Sequence, residues 1–224
     1  KKRICIEKIA FWVYNSMGDL IMDKYLIEIH AHTSDVSNCA DMPAKDAVKL
    51  FAENGYNGMV ISDHLHSYAI RRFLKKRPNG DWDDIIDCLL EGYKIALEEA
   101  KKYPGFKVYL GCELRFDEYD NDYLVFGLSE DKLRQMKDVN KLSTLEGIKY
   151  VKSFGCTIIQ AHPFRDRDYI RNIMVHPETA DAFEGYNAGN DDYSDQYAYE
   201  YCKQHGIHMS SGSDMHYLSN MDHN

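Results

Sequence analysis

Imidazole and carboxylate side chains recur in five short clusters along this sequence, and each cluster follows a stretch typical of a β-strand. The clusters are His30-Ala-His32, Asp63-His64, Glu113, His162-Pro163 and Asp214-Met-His216. Histidine nitrogens and carboxylate oxygens are the ligands that zinc, manganese and iron prefer in proteins. Because side chains at successive strand ends meet at one edge of an α/β fold, the pattern indicates metal-dependent hydrolytic chemistry at that edge.

The segments between these clusters alternate between strand and helix patterns. Strands are predicted over residues 25–29, 58–62, 106–111, 123–126, 156–160, 182–185 and 207–210. Helices are predicted over residues 43–55, 83–102, 130–136, 145–154 and 195–204, where apolar residues recur on one face. Strands that alternate with helices imply a parallel sheet, and this many units favours a closed or nearly closed barrel.

Length and charge are consistent with one globular domain that acts on a small molecule. The 224 residues have 44% hydrophobic and 28% charged side chains, and the net charge is −9, which argues against binding extended nucleic acid or an anionic membrane. We interpret residues 1–24 as a lead-in of undefined role and residues 25–224 as the barrel domain. The sequence stops eight residues after His216, so either closing elements are missing or the lead-in takes their place.

The six cysteines contain no C-x-x-C pair, and three of them (Cys88, Cys112 and Cys156) fit core positions, which predicts a reducing compartment. The apolar run at residues 9–14 is too short to span a bilayer and lacks a signal-peptide cleavage site, so we expect a cytoplasmic protein without a membrane partner. Cys39 lies near the first cluster, but a lone thiol without a spaced partner is predicted to pack or to stay free.

The clusters resemble the motifs of the PHP (polymerase and histidinol phosphatase) family of metal-dependent phosphoesterases. The resemblance covers residues 25 to about 217, and all five motifs occur in the family order. They are His30-Ala-His32-Thr33, Ser62-Asp63-His64, Gly111-Cys-Glu113, Ala161-His162-Pro163 and Gly212-Ser213-Asp214-Met-His216. The resemblance implies a distorted (β/α)7 TIM-like barrel with a trinuclear metal centre at the C-terminal ends of the strands.

The resemblance also implies a ligand set for two to three divalent ions of zinc, manganese or iron. The first ion would be bound by His30, His32, Glu113 and Asp214. The second would be bound by His64, His216 and an acidic residue of the following loop, for which we choose Asp35 over Asn38. The third would be bound by His162, Glu113 and Asp122, the last at a place where the family usually has a histidine.

Such ions would lower the pKa of a bound water and supply a hydroxide nucleophile near neutral pH. The planar fork of an arginine suits the remaining phosphate oxygens, and Arg165 is the first candidate for that role, with Arg115 the second. Asp63 is expected to orient a ligand histidine. The predicted reaction is hydrolysis of a phosphate monoester on a small metabolite or nucleotide, with specificity in the loops 67–82, 165–174 and 186–195.

Three other functions remain open at this point. The resemblance also permits a phosphodiesterase or exonuclease that acts on short nucleic acids. A non-catalytic metal-binding PHP module is a second alternative. An amidohydrolase is a third, because those barrels also begin with H-x-H, although they normally lack a histidine at the second strand end and the D-x-H ending. The sequence does not define the oligomeric state.

Overall fold

The computed structural model describes residues 25–217, together with residues 13–14 and 20–21. In the predicted lead-in, β1 (Val13–Tyr14) and β2 (Leu20–Ile21) form a short antiparallel pair. The other residues of the lead-in and residues 218–224 lie outside the described residues. The apolar run at residues 9–14 is therefore described only at its last two positions, and the predictions made for the end of the chain concern residues that are not described.

Nine further strands in the described residues form two sheets. The smaller sheet has the order β3 (Ile27–Ala31), β4 (Gly58–Ile61) and β6 (Lys107–Leu110), and its pairings are parallel. The strands of the larger sheet are β5 (His64–Leu65), β7 (Cys112–Arg115), β8 (Asp122–Phe126), β9 (Thr157–Gln160), β10 (Ala182–Asn187) and β11 (Met209–Gly212). Their order is β11-β10-β9-β8-β7-β5.

Six α-helices in the described residues connect these strands. They are α1 (Ala44–Glu53), α2 (Ser67–Lys76), α3 (Trp82–Ala100), α4 (Glu130–Gln135), α5 (Thr144–Ser153) and α6 (Asp192–His205), and a 3₁₀ turn (Val139–Lys141) precedes α5. Each predicted helix is present, with its ends shifted by at most three residues. In the described part of the chain, no helix is both long enough and apolar enough to cross a bilayer.

The prediction of a mixed α/β fold with parallel sheets is confirmed, but a closed seven-stranded barrel is not shown, because the pairings form two sheets. Hydrogen bonds connect the sheets at two places. Gly111 N donates to Ile61 O (3.0 Å) where β4 and β6 continue towards β5 and β7, and Ala31 pairs with Met215 beyond β11. The strand ends of both sheets therefore face one region.

Strand β8 departs from the predicted parallel arrangement, since it runs antiparallel to both β7 and β9. The reason lies in the connection: only residues 116–121 separate β7 from β8, and a parallel pairing needs a crossover of a dozen or more residues. The antiparallel register places Arg115 directly opposite Asp122.

The segment 67–82, which we interpreted as a loop, contains helix α2. The Nδ1 of His66 accepts a hydrogen bond from Ala69 N (3.2 Å) and caps the helix, while Ala69 and Phe73 bury its inner face. Ile70 and Leu74 pack against the same core, so Ala69, Ile70, Phe73 and Leu74 form an apolar face at helical spacing. The interpretation of this segment as a loop is therefore wrong over residues 67–76.

Helix α3 packs against both main apolar clusters of the core and positions the loops of the site. Its first turn is capped by Asp81, whose side chain accepts hydrogen bonds from Asp83 N and Asp84 N. At Gly92 the helix approaches the loops so closely that a Cβ would overlap the side chains of Thr33 and Asp63. The absence of a side chain at Gly92 therefore lets α3 lie directly beneath these loops.

Candidate metal centre

The structure brings together eight of the nine side chains that we predicted as metal ligands. They form four overlapping groups, in each of which the possible ligand atoms lie within 4.8 Å of one another. The groups are His32, His64 and His216; His30, His162 and Asp214; His30, His32 and Glu113; and Glu113, Asp122 and His162. The sequence clusters therefore converge at the strand ends, as the alternation of strands and helices predicted.

Glu113 lies at the centre of these groups on strand β7. Its Oε2 is 2.7 Å from His64 Nδ1 and its Oε1 is 2.9 Å from His162 Nε2, while His32 Nε2 approaches Oε2 at 3.4 Å. Burial opposes a charge on this carboxyl, but His64 and His30 outweigh it and hold the pKa of Glu113 well below its usual range. An ionised carboxylate at this position belongs to two of the candidate metal-binding groups.

His30, on strand β3, is buried and has a carboxylate on both sides of its ring. Its Nδ1 lies 2.9 Å from Glu184 Oε1, and its Nε2 lies 3.4 Å from Glu113 Oε1 and 3.3 Å from Asp214 Oδ1. Burial disfavours the charged ring, but these carboxylates together raise the pKa of His30 well above its usual value. Glu184 fixes the orientation of the ring, so that Nε2 is presented to the centre.

Glu184 was missed by the sequence interpretation. It lies inside β10, and its second oxygen accepts hydrogen bonds from His162 N (2.9 Å) and from Asn187 Nδ2 (2.7 Å). One buried carboxylate thus fixes His30 and the backbone of His162 together. The only signal in the sequence was a charged residue within an otherwise apolar strand, which a single sequence does not distinguish from an exposed position.

Asp214 and His162 occupy unusual backbone conformations. Their φ angles are +50° and +30°, in or close to the left-handed region that residues with a side chain rarely adopt. Asp214 Oδ1 lies 3.2 Å from His32 Nε2, and burial, which opposes its charge, is outweighed by His30 and Arg165, so its pKa is well below the usual range. Strain of this kind is concentrated at functional sites, where the surrounding structure holds it.

His32, His64 and His216 lie side by side next to a thiol. The ring centroid of His32 lies 4.3 Å from that of His64 and 4.4 Å from that of His216. The Sγ of Cys39 is 3.2 Å from His64 Nε2 and also hydrogen-bonds His216. Burial raises the pKa of this thiol, but the two histidines outweigh it and lower the pKa to about 6. The sequence predicts that Cys39 packs or stays free, whereas the structure places it against His64 and His216.

The third group, Glu113, Asp122 and His162, includes a competing cation. Arg115 Nε and Nη2 donate to the two oxygens of Asp122 at 2.7 and 2.6 Å, a bidentate pair across β7 and β8. His162 Nε2 is 3.8 Å from Asp122 Oδ2. Arg115 therefore neutralises the carboxylate that we had predicted as a ligand of the third ion.

Arg165 is nearly buried beside Asp214. Its Nη2 donates to Asp214 Oδ2 (2.5 Å) and to Asn187 Oδ1 (2.9 Å), and its Nε donates to Asn190 Oδ1 (2.7 Å). Tyr169 hydrogen-bonds Arg165, and the Arg115 guanidinium lies 5.4 Å from the centre of the same Tyr169 ring. The two arginines that we predicted thus face one wall of the centre, and Tyr169, which we had not considered, joins them.

Two predicted residues have contacts other than those expected. The oxygens of Asp63 accept hydrogen bonds from Thr33 N (2.8 Å), Thr33 Oγ1 (2.7 Å) and Ser37 Oγ (2.7 Å), so Asp63 holds the loop after β3 rather than a ligand histidine. Asp35 Oδ2 accepts a hydrogen bond from Ala44 N (2.7 Å) at the first turn of α1. Asp35 is the predicted ligand that the structure does not bring to the centre.

The donor atoms of this centre fit divalent cations. The Nδ1 of His32 is buried and has no hydrogen-bond partner, while the Nε2 atoms of His30 and His32 face carboxylate oxygens of Glu113 and Asp214 at 3.2 to 3.4 Å. Unpaired buried polar atoms of this kind are costly, and they are rare unless they bind something. Imidazole nitrogen and carboxylate oxygen are together suitable ligands for divalent first-row metal ions.

No protein-family model matches the chain, and no curated protein matches it in sequence. Solved structures do match its fold. The chain is similar to a two-domain protein of Bacteroides vulgatus that contains a predicted PHP-like metal-dependent phosphoesterase, with 17% identity and a TM-score of 0.61. The match covers 88% of this chain and 53% of that protein, so the chain spans about half its length.

Two further structures align over most of both chains. One is a protein of Bifidobacterium adolescentis described as a predicted metal-dependent phosphoesterase, with 17% identity and a TM-score of 0.54. The match covers 86% of this chain and 88% of that chain. The other is an amidohydrolase of Chromobacterium violaceum with bound sulfate and no metal, with 13% identity, the same coverage and a TM-score of 0.55. At identities this low, the structural likeness shows the fold alone, and that fold is PHP-like.

Proposed function

We propose that this chain is a metal-dependent phosphoesterase that hydrolyses a phosphate monoester of a small metabolite or nucleotide. The observation that carries the proposal is the buried set of histidines and carboxylates at the strand ends, in which His32 Nδ1 has no partner and the Nε2 atoms of His30 and His32 converge on carboxylate oxygens. Such a set is costly to bury without a cation, and nothing in the packing of the core requires it.

Two to three ions fit the groups that the side chains form. The first would be bound by His30, His32, Glu113 and Asp214. The second would be bound by His64 and His216 next to His32, and the third by His162, Glu113 and Asp122. When bound, divalent ions supply Lewis acidity and lower the pKa of a bound water. In the same proposal the two sheets are the parts of one distorted (β/α)7 barrel, with β4–β5 and β6–β7 each counted as one strand.

The surrounding residues would bind and orient the substrate. Arg165 is held by Asp214, Asn187 and Asn190, so its planar fork is fixed before a phosphate group arrives. Arg115 would add positive charge on the same wall. Asp63 is a positioning residue in this proposal, because its contacts hold the loop that follows His32.

The size and charge around the centre favour a small substrate. Beside His64 there is a cleft of about 200 Å³, smaller than the pockets that hold drug-sized ligands. It is lined by Ser37, Asn38, Cys39, His64, His66, Tyr68, Ala69 and Arg72. A net charge of −9 would repel a long nucleic acid. The phosphodiesterase reading is therefore restricted to short substrates and takes second place.

The structural neighbours support a hydrolase but name two reactions. The Bacteroides and Bifidobacterium structures are described as phosphoesterases, and the Chromobacterium structure as an amidohydrolase. An amidohydrolase is therefore the rival enzyme class. The histidines at the second strand end and in the final motif, His64 and His216, favour the phosphoesterase, since both lie at the centre.

The test compares three substrates on protein freed of metal and then reloaded with zinc, manganese or iron(II). We expect turnover of p-nitrophenyl phosphate, slower turnover of bis(p-nitrophenyl) phosphate and none of a cyclic amide. Asp214→Asn should abolish the activity, and Asp131→Asn, an exposed control on α4, should leave it unchanged. Cleavage of the diester alone would shift the assignment to a phosphodiesterase, and turnover of the amide alone would shift it to an amidohydrolase. Activity unaffected by Asp214→Asn would point to a contaminant and a non-catalytic module.

A further inference from the structure

We propose that Cys39 is a thiolate ligand of the ion held by His64 and His216. The proposal rests on the proposed metal centre but is independent of which ester is hydrolysed. It replaces the carboxylate that we expected from Asp35, whose oxygen instead accepts a hydrogen bond from Ala44 N at the start of α1.

The first support is distance. Cys39 Sγ lies 3.2 Å from His64 Nε2 and contacts His216 through a hydrogen bond. In a tetrahedral zinc site with Zn–S of about 2.3 Å and Zn–N of about 2.0 Å, sulfur and nitrogen ligands lie roughly 3.5 Å apart. The thiol and the His64 nitrogen are therefore close to the separation that a shared ion requires.

The second support is the orientation of the two rings. His216 Nδ1 lies 2.8 Å from Asp214 O, which leaves its Nε2 for an ion. His64 Nδ1 lies 2.7 Å from Glu113 Oε2, which leaves its Nε2 on the side of Cys39. Metal-binding histidines commonly have one nitrogen fixed by an oxygen and the other on the metal, and both rings show this arrangement towards the thiol.

A third, independent observation is the ring of His32 in the same cluster. This side chain is fully buried, its Nδ1 lacks a hydrogen-bond partner, and it forms a candidate metal-binding group with His64 and His216. Three neutral imidazoles offer a divalent cation no compensating charge. A thiolate from Cys39 supplies an anion at this position, next to the shared carboxylate of Glu113.

A sulfur ligand would change which ion this position selects. Thiolates favour zinc over manganese, which prefers oxygen ligands. Cys39 is exposed and lines the cleft beside His64, so the ion it binds would face the open side of the centre. The position held by Cys39, His64 and His216 would then be a zinc position, whereas the remaining groups, which contain only nitrogen and oxygen, would accept manganese or iron.

Cobalt(II) provides a test that does not depend on activity, because a thiolate bound to cobalt(II) gives a charge-transfer absorption in the near ultraviolet. Metal-free wild-type protein, Cys39→Ser and the control Cys88→Ser, a buried thiol of α3, are titrated with cobalt, and bound cobalt is counted by mass spectrometry. We expect the band in the wild type and in Cys88→Ser, and its loss in Cys39→Ser. Affinity for zinc should fall at least tenfold in Cys39→Ser, with little change for manganese.

Each outcome separates this proposal from the proposed function. A band that persists in Cys39→Ser, or a wild type that binds cobalt without the band, would overturn the thiolate ligand and leave the metal centre intact. A wild type that binds no cobalt would overturn the metal centre itself. If Cys39→Ser fails to fold, alkylation of the wild type replaces the variant: zinc should protect Cys39 from iodoacetamide, as read by peptide mass spectrometry, and absence of protection would refute the proposal.

Discussion

Glu184 Oε1 lies 2.9 Å from Nδ1 of His30, and both side chains are fully buried. A carboxylate at this nitrogen leaves the other ring nitrogen for an ion and makes it more basic. We expect Glu184→Gln to weaken metal binding by about 10- to 100-fold, the usual cost of losing such a partner. Competition with a chelator of known affinity measures the change.

The matched control for this variant is Glu200→Gln on the exposed side of α6. It removes the same charge at a distance from the centre and should leave metal affinity unaltered. Equal affinity in Glu184→Gln and wild type would show that Glu184 serves only the packing of β10. Thermal unfolding of the metal-free proteins would separate that case from a general loss of structure.

Arg165→Lys should lower kcat/KM for a phosphate monoester by roughly 10- to 100-fold, since a hydrogen bond to a charged group contributes about 1.5–3 kcal/mol. Lysine keeps the charge but loses the planar fork. We expect the number of bound ions to stay as in the wild type. Steady-state kinetics and metal counting on the same samples provide both values, and Arg134→Lys on α4, whose ion pairs are with Asp87 and Glu130, is the control. If the variant bound fewer ions but the metal-loaded molecules kept the wild-type kcat/KM, the role of Arg165 would instead be to position Asp214.

The bidentate pair between Arg115 and Asp122 predicts a competition with the third ion. Arg115→Gln removes the guanidinium, so Asp122 would bind a cation in its place, and the third ion should bind about tenfold more tightly or better. Without metal the same variant should be less stable, because a buried carboxylate has lost its partner. Isothermal titration with manganese and unfolding with and without the ion test both effects. The control is Arg171→Gln, at an exposed pair with Asp120; unchanged stoichiometry and affinity in Arg115→Gln would mean that Asp122 binds no ion.

Asp195 predicts a defined pH dependence of stability. Burial raises the pKa of this carboxyl from its ordinary 3.8 to about 6, against the hydrogen bonds from Asn190 and Asn187 N. Between these pKa values the unfolded state releases the proton of Asp195 and the folded state retains it. The free energy of unfolding therefore falls as the pH rises from about 3.8 to about 6. Asp195→Asn keeps the acceptor oxygen but cannot titrate, so its stability relative to wild type should increase across this window and stay constant above it. Denaturant unfolding at several pH values measures the difference, with Asp192→Asn as the exposed control. Parallel pH profiles would contradict the expectation.

Gly92→Ala should destabilise the protein by about 1–3 kcal/mol, the usual cost of overpacking. Within an exposed helix the same change stabilises by up to about 1 kcal/mol, because alanine is the better helix former. Here the added Cβ would overlap Thr33 and Asp63, so the sign reverses. Denaturant unfolding gives the free energy, and Lys94→Ala, at an exposed position of α3, should change it little. A stabilised Gly92→Ala would show that the loop after β3 can move away at low cost.

The strand ends could be predicted from the sequence because two signals coincided: an apolar run and a ligand residue directly after it. Apolar runs located β4 and β9, and a ligand residue directly after a strand could only lie at the end where parallel strands meet. His30 and Asp214 could therefore be placed in one centre although they belong to opposite ends of the described chain. Residues adjacent to a strand end are where local sequence and tertiary position are most tightly coupled.

What could not be predicted depends on contacts between segments. Glu184 lies within a strand and becomes meaningful only when the register of β10 places it beside His30. The Arg115–Asp122 pair requires an antiparallel β8, which follows from a short connection rather than from strand periodicity. Cys39 lies in a loop, where the path of the backbone decides which side chains meet. None of these contacts leaves a spacing pattern in one sequence.

The hydrogen bonds between His30, His32 and Met215 attach the first strand of the smaller sheet to residues beyond β11. Ser213 and His30, which share a further hydrogen bond here, are separated by 183 positions. An ion held by His30 and Asp214 would link β3 to the residues beyond β11. Its binding free energy would add to the free energy needed to separate these two segments. At a thousandfold excess over the dissociation constant that addition is about 4 kcal/mol. Metal supply would then set how long a folded molecule survives proteases as well as how fast it turns over substrate.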